Sequence, residues 1–408
     1  MVYIINSNDF LTQAPSNNPG GAKVLLSGFP TLYLESGEYL EPVNLWINHL
    51  VNERRSKNIN SNLRAITRYW RFLESNHMSW DTFPPSKYKK PTYLFRNNDL
   101  LASVKAGTLQ LSTASLYLNH VVQFYRWAMR EKLLITDEKN SPFQSELLKI
   151  SSYGRLAHMA NSYNIRTTDL RIRIPKKSPN QSLNPLTKEE LAIYSKQLNQ
   201  CCVEFKLHQL LQTLCGLRVR EACTFPASLV HKPTELTSKV EVEIGPHVGV
   251  ETKFGAKRKV EISSFLMDQL YQYLISERRY LRSIKYDFNS GALLINKFGR
   301  TYSTSAIQSH YGALRERIRK ISHKPFRHRT HDMRSTYATF RLASLLNNEK
   351  ISPVDAVTLL MGWMGHRHER TTWKYIQFLN KQNIHQKAIS FLDEIMEEAI
   401  FGVGDHRV

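Results

Sequence analysis

The sequence predicts a mainly α-helical protein with a small antiparallel β-sheet, arranged as an all-helical N-terminal domain followed by a mixed α/β domain. Three observations predict this. Apolar residues recur at helical spacing along most of the chain. Alternating runs that suit strands cluster in residues 239–262. A basic stretch with several prolines, ending in a helix-start signal, divides the chain. A length of 408 residues allows two or three domains, each with its own core.

Residues 1–40 read as an N-terminal extension, nearly uncharged and rich in Asn, Gly, Pro and Ser, with one strand-like run at Thr31–Leu34. Residues 41–165 read as a helical domain. Leu45, Trp46, Leu50 and Val51 make a first apolar stripe, Leu63, Ile66, Trp70 and Leu73 a second, and Leu118, Val121, Val122, Tyr125 and Ala128 a third. Between the stripes lie Arg54, Arg55, Lys57, Arg64, Arg68 and Arg71 with few acidic counterparts. Such a run is either a solvated helix face or a surface for phosphates, and Arg64, Arg68 and Arg71 are candidates for the second.

Residues 166–185 read as a basic linker, because its three prolines bias their neighbours away from helix and its like charges repel. Arg171, Arg173, Lys176 and Lys177 on it are further candidates for contacting phosphates. The domain at 186–408 opens with Thr187-Lys-Glu-Glu190, a capping box in which each terminal side chain reaches the other's backbone N–H. Helical segments follow, then runs at 239–244 and 248–262 that read as a β-meander, then a mostly helical stretch to Phe401.

The chain has 56 Lys+Arg against 35 Asp+Glu, a net charge of +21, which points to a polyanionic partner. Charge alone does not separate nucleic acid from an anionic membrane. No stretch approaches the roughly 20 apolar residues of a membrane span, and Met1–Phe10 has no signal-peptide pattern. Cys201, Cys202, Cys215 and Cys223 form no CxxC pair and no zinc pattern, which suits reduced thiols in the cytoplasm.

Four segments of the C-terminal half bear on chemistry: Gly216-Leu-Arg218-Val-Arg-Glu221, then Thr252-Lys253 with Arg258 and Val260 following, then His331-Asp-Met-Arg334, and Met364-Gly365-His366 with Tyr375 nine residues later. Each is weak alone; their order and spacing are specific. Together they resemble the tyrosine recombinase (phage integrase) family, over about Leu186 to Phe401. The preceding helical region is similar to that family's core-binding domain by position and pattern only. The resemblance implies an active site of Arg218, Lys253, His331, Arg334, His366 and Tyr375, with Glu221 at the supporting acidic position.

Cleaving a phosphodiester in this way needs a nucleophile, a proton donor for the leaving 5′ oxygen, and positive charge for the phosphorane. Two arginines can hold the non-bridging oxygens and stay charged at any relevant pH. His331 and Arg334, three residues apart, share a helix face. An imidazole titrating near neutrality can take the phenol proton or donate to a phosphate oxygen. Lys253, near Phe254-Gly255-Ala256, sits on a turn from which its ammonium can reach the leaving oxygen. Lys257 and Lys259 lie on the same hairpin, but only Lys253 puts Arg258 and Val260 at the family's distances.

The resemblance implies a site-specific DNA recombinase or integrase that cleaves and rejoins strands through a 3′-phosphotyrosyl intermediate, with no metal and no cofactor. The implied partner is double-stranded DNA with paired inverted half-sites, bound by a homodimer and synapsed by a homotetramer, with no membrane and a nucleoid-associated place in the cytoplasm. Competing readings are a type IB topoisomerase-like nicking-closing enzyme and an inactive DNA-binding accessory protein. The stretches from Arg218 to Lys253 and from Arg334 to His366 are longer than the family's, with Leu345–Pro353 looking inserted. Beyond Tyr375, Ala388, Phe391, Leu392, Ile395, Met396 and Ala399 form an apolar helical stripe suited to packing at home or on a second protomer.

Overall fold

Alternation and helical periodicity in this chain resolve, in a computed structural model, into two compact units, Met1–Lys176 and Lys177–Val408. The structure describes residues 2–7, 10–11, 25–26, 28–56, 58–137, 139–150, 163–175, 183–234, 239–285, 291–322, 325–348, 351–366, 372–376 and 379. The apolar stripe at 388–399 lies outside these residues, as do Lys176 and Lys177.

The first unit begins with strands β1 (Tyr3–Asn6), β2 (Phe10–Leu11), β3 (Leu25–Leu26) and β4 (Pro30–Tyr33), which pair antiparallel as β1 with β4 and β2 with β3. Val2 and Leu32 are fully buried in the core of this unit. The buried Asn44 amide ties the segment down, accepting from the Leu32 N–H at 2.8 Å and donating to its carbonyl at 2.9 Å. Val2 and Leu32 thus anchor this segment in the unit's core, which corrects its reading as an extension.

Helices α1 (Glu41–Asn48), α2 (Asn60–Ser75), α3 (Pro91–Leu94), α4 (Ala102–Lys105) and α5 (Leu111–Arg130) follow. Glu41 and Pro42 start α1 with a favourable negative charge and a pre-set φ. The stripes foreseen on α2 and α5 turn inward, and Trp46, Tyr69, Phe95, Phe124 and Tyr125 are fully buried. The Tyr69 and Phe95 rings meet edge-on at 4.9 Å, and Tyr125 donates to the Trp80 carbonyl at 2.7 Å. Each such aromatic pair contributes about 1 kcal/mol beyond its buried area.

After α5 the chain departs from expectation. Strands β5 (Ser145–Ile150) and β6 (Tyr163–Thr168) form an antiparallel pair inside a region read as helical, with Leu147 opposite Arg166. Leu170 and Ile172 then enter the core. Residues 166–172 thus belong to the first unit, because two apolar side chains among the charges find a core to fill.

The second unit contains α6 (Lys188–Leu198), α7 (Val203–Cys215), α8 (Val219–Cys223), β7 (Lys239–Ile244), β8 (Arg258–Ser263), α9 (Ser264–Leu274), α10 (Glu277–Ser283), α11 (Thr304–Ser322), α12 (Thr330–Leu346) and α13 (Pro353–Met364), with a last helical turn at 372–376. Helix α12 packs on both α7 and α13. The foreseen β-meander is a two-stranded pair only. Gly245-Pro246, Gly249 at φ 86° and Phe254-Gly255 at φ 61° and 66° bend the connection into two short turns. Leu345 and Leu346, read as inserted, are the last turn of α12, and Ser352 caps α13 by accepting from the Asp355 N–H at 3.1 Å. Among the described residues, no helix is long and apolar enough to cross a membrane.

The capping box at the start of α6 is present: Glu190 N–H donates to Thr187 Oγ1 at 3.2 Å and Thr187 N–H to Glu190 Oε2 at 2.9 Å. The same carboxylate meets His328 Nε2 at 3.0 Å, just ahead of α12. Burial opposes charge on His328, but the Glu190 hydrogen bond and charge outweigh it and raise the imidazole above its ordinary 6.5. The hydrogen bond from His328 lowers Glu190 from 4.5, against the pull of burial. A raised histidine stabilises below its unfolded pKa and loses that contribution as pH rises through the folded value; a lowered carboxylate stabilises above its unfolded pKa and loses it on acidification. The pair is therefore fully effective between 4.5 and 6.5. Thermal melts should show the native protein losing stability relative to His328→Gln as pH rises above 6.5. Parallel curves would show that the pair is not coupled to folding.

Candidate active site

Residues from five elements converge at one end of α12. Gly216 closes α7 in the left-handed region at φ 66°. The Tyr337 ring leaves no room there for a side chain, since a Cβ on Gly216 would sit 2.4 Å from it. This tight turn delivers Arg218 to the N-terminus of α8, whose third residue is Glu221. Glu221 is fully buried. Arg218 Nη1 lies 2.8 Å from its Oε1, Arg258 Nη2 2.6 Å from its Oε2, and Arg334 Nη1 4.0 Å away. Burial would raise the Glu221 carboxyl, but the Arg258 hydrogen bonds and charge, helped by the Arg218 N–H and charge, hold it at about 2.

His331 and Arg334 both stand on the first turns of α12. Arg334, 2% exposed, donates to the carbonyls of Gly216 and Met364, the C-terminal ends of α7 and α13. Burial, then the charges of Arg218 and Arg258, push it down to about 9, which leaves it charged at neutral pH. Gly365, left-handed at φ 58°, ends α13 and presents His366. His366 Nδ1 pairs with the buried Thr372 hydroxyl at 2.9 Å, and its ring stacks on Tyr375 at 6.2 Å and 5° between planes. Burial and the positive charges of Arg334, Arg218 and Arg258 push His366 down to about 3. His331 is lowered as well, by desolvation and by Arg334, Arg218 and Lys253, with Asp332 opposing.

Tyr375 is 5% exposed. Burial raises its phenol, while Arg334, a hydrogen bond with Ser335 and Arg218 pull the other way. The structure thus brings Arg218, Glu221, His331, Arg334, His366 and Tyr375 together. Lys253 stands at the edge, on the exposed turn at 253–255 with its ammonium 5.0 Å from the Phe254 ring centroid, and its charge reaches His331.

Arg258 was not among the residues singled out for the site. Its Nε donates to the Trp363 carbonyl at 2.8 Å while its other nitrogens clasp Glu221, so one side chain joins β8, α8 and α13. Ser335 and Thr372 were also missed. The i+1 position of Ser335 after Arg334 carries no signal, and Thr372 gains its place only once the chain brings it to His366.

The DNA-contact candidates of the first unit divide. Arg64, Arg171 and Arg173 are exposed. Arg68 is spent on Asp99, Nε to Oδ2 at 2.7 Å, and on the Ser103 hydroxyl. Arg71 donates to the Val2 carbonyl at 2.9 Å. The two therefore hold this unit together, because partners distant in sequence claim them.

No family model matches the sequence, and no curated protein does. Solved structures match over most of the chain. XerH site-specific recombinase bound to palindromic difH substrate, in a post-cleavage complex, aligns at a TM-score of 0.52 and 15% identity, covering 84% of this chain and 81% of that one. The Tn1549 transposon integrase in complex with a circular intermediate DNA aligns at 0.51 and 17% identity, covering 82% and 94%. The same integrase in complex with transposon right end DNA aligns at 0.51 and 16% identity, with the same coverage. Mostly helical, with small antiparallel sheets and a likeness to solved recombinases across both units, the chain has the tyrosine recombinase fold.

Proposed function

We propose that this protein is a site-specific DNA recombinase that cleaves one strand with Tyr375, stores the phosphodiester as a 3′-phosphotyrosyl bond, and reseals it to another strand's 5′ hydroxyl. One observation supports the reading: two arginines and two histidines from three stretches of the chain cluster with the buried Tyr375, with a carboxylate fixed behind them. In this reading Arg218 and Arg334 neutralise the non-bridging oxygens. His331, lowered and hence neutral at pH 7, accepts the phenol proton. His366 keeps Nδ1 on Thr372, which frees Nε2 to donate to a phosphate oxygen. Lys253, on its turn at the rim, supplies the proton that leaves with the 5′ oxygen.

The substrate in this reading is duplex DNA with paired inverted half-sites, held by a dimer and exchanged in a tetramer, in the nucleoid and in the service of a mobile element. A duplex nicked beside the cleavage position should trap the protein covalently, and digestion should place the DNA on the peptide holding Tyr375. No adduct, or an adduct on another residue, would overturn the assignment. Arg218→Ala should slow cleavage about 10²- to 10³-fold, the usual loss for one donor to a developing anion. Because the Arg218 side chain is 23% exposed, the fold should survive the change; a rate within a few fold of native would remove Arg218 from the chemistry.

A further inference from the structure

Among the described residues, three arginines meet the last turn of α13. Arg258 Nε donates to the Trp363 carbonyl at 2.8 Å, and Arg334 donates to the Met364 carbonyl. Both also answer to Glu221. Arg341 differs: its guanidinium lies over the Trp363 ring, 4.6 Å from the centroid, and its Nη2 pairs with Glu261 on β8. Lys239 Nζ stands 3.7 Å from the same Glu261 oxygen, so that carboxylate is shared with a charge outside the site.

Helix geometry puts Arg341 on the face that the site uses. His331, Arg334, Ala338 and Arg341 follow one another at spacings of three, four and three along α12. Arg334 and Arg341 accordingly touch neighbouring residues of α13, Met364 and Trp363. Arg341 Nε is buried and has no hydrogen-bond partner among the described residues. A buried N–H without an acceptor is costly, and the electron-rich indole face is what receives this cation.

His366 hangs from the same turn by a single left-handed glycine. The Gly365 N–H donates to the Gly362 carbonyl and the His366 N–H to that of Met361, both at 3.1 Å. The direction of the imidazole therefore follows the roll of the turn about its helix axis. Backbone atoms resist roll poorly, because Cα atoms stand only about 2.3 Å from the axis whereas side chains reach about 5 to 6 Å. The Trp363 ring is the longer lever.

We propose that Arg341 is a positioning residue: clamped between Trp363 and Glu261, it fixes the roll of the last turn of α13 and so holds His366 against Thr372 and Tyr375. Its effect on strand cleavage rests on the reading of Tyr375 as nucleophile. The orientation of His366 does not, and can be measured without DNA.

Two measurements on the full chain test this. Arg341→Met keeps the aliphatic stem and removes the cation. It should leave affinity for duplex DNA at the native level and slow covalent trapping on nicked duplex about 10- to 100-fold, the scale of loss when a reacting group is displaced but still present. In a His366→Ala background the same change should slow trapping no further, because residues that act through one another do not add. Glu261→Gln, at a side chain 26% exposed, is the milder variant should Arg341→Met fail to fold, and should show the same pattern to a smaller degree. The second measurement is nuclear magnetic resonance of the His366 ring without DNA, its signals assigned by their loss in His366→Ala. The parallel Tyr375 ring at 6.2 Å shifts those signals, so Arg341→Met should move them. Signals that stay at their native positions would overturn the proposal. So would losses of rate that multiply with those of His366→Ala, or a loss of DNA affinity with trapping at the native rate. A native chain that forms no adduct, with His366 signals that do move in Arg341→Met, refutes the chemistry and supports the positioning.

Discussion

Tyr375→Phe will bind duplex DNA like the native chain and form no covalent adduct. The substitution removes one oxygen and keeps the ring that stacks on His366. The ring is almost wholly buried, so its packing is what the last helical turn contributes to the core, and a phenylalanine preserves it. The lost Ser335 hydrogen bond costs about 1 kcal/mol, too little to unfold a unit of this size. In the proposed reading Arg218, His331 and Arg334 remain to bind phosphate, so affinity measured on intact duplex should not change. An adduct that persists would move the nucleophile elsewhere, and a variant that fails to bind would make the hydroxyl a structural group.

The second large effect is on stability. Glu221→Ala leaves Arg258, whose side chain is 4% exposed, and Arg334 facing one another without their shared counter-charge. Breaking a buried pair from one side typically costs about 3 to 5 kcal/mol. Denaturant unfolding of the variant should therefore show the transition of the second unit shifted by that order, with the first unit unchanged. Glu221→Gln keeps the shape and loses the charge, and should fall between. In the native protein the depressed carboxyl adds stability that is complete above its ordinary 4.5 and is lost as pH falls toward about 2. Acid unfolding of the second unit that begins no earlier in Glu221→Gln than in the native chain would show that the ion triad does not govern it.

How far the chain could be read from its residues depended on the distance between partners. The capping box at Thr187–Glu190 spans one helical turn, and its hydrogen bonds are those foreseen. The pairing of His331 with Arg334 is equally local, and both side chains act at one place. Arg68 failed because its partner Asp99 lies 31 residues away, so a count of nearby charges left it unpaired. Arg258 was read only for its spacing from Lys253, and its role was missed for the same reason: Glu221 is 37 residues distant and the Trp363 carbonyl 105. The β5–β6 pair was overlooked because Ser145–Ile150 and Tyr163–Thr168 mix polar and apolar residues without the clean alternation of a half-buried strand. The supposed linker misled through its prolines and charges, which outweighed the two core residues among them.

The two carbonyls that Arg334 occupies have a further meaning. Both close helices that end in a left-handed glycine, and a helix C-terminus carries about half a negative charge. Glu221 and the two helix ends together amount to about two negative charges, set against the three positive charges of Arg218, Arg258 and Arg334. The surplus is about one positive charge, that of a single phosphodiester with its sign reversed. In the proposed reading, a substrate strand beside Tyr375 brings the cluster to electroneutrality in the ground state. In that reading only the additional charge of the pentacoordinate phosphorus falls to the groups at the rim, among them the exposed ammonium of Lys253.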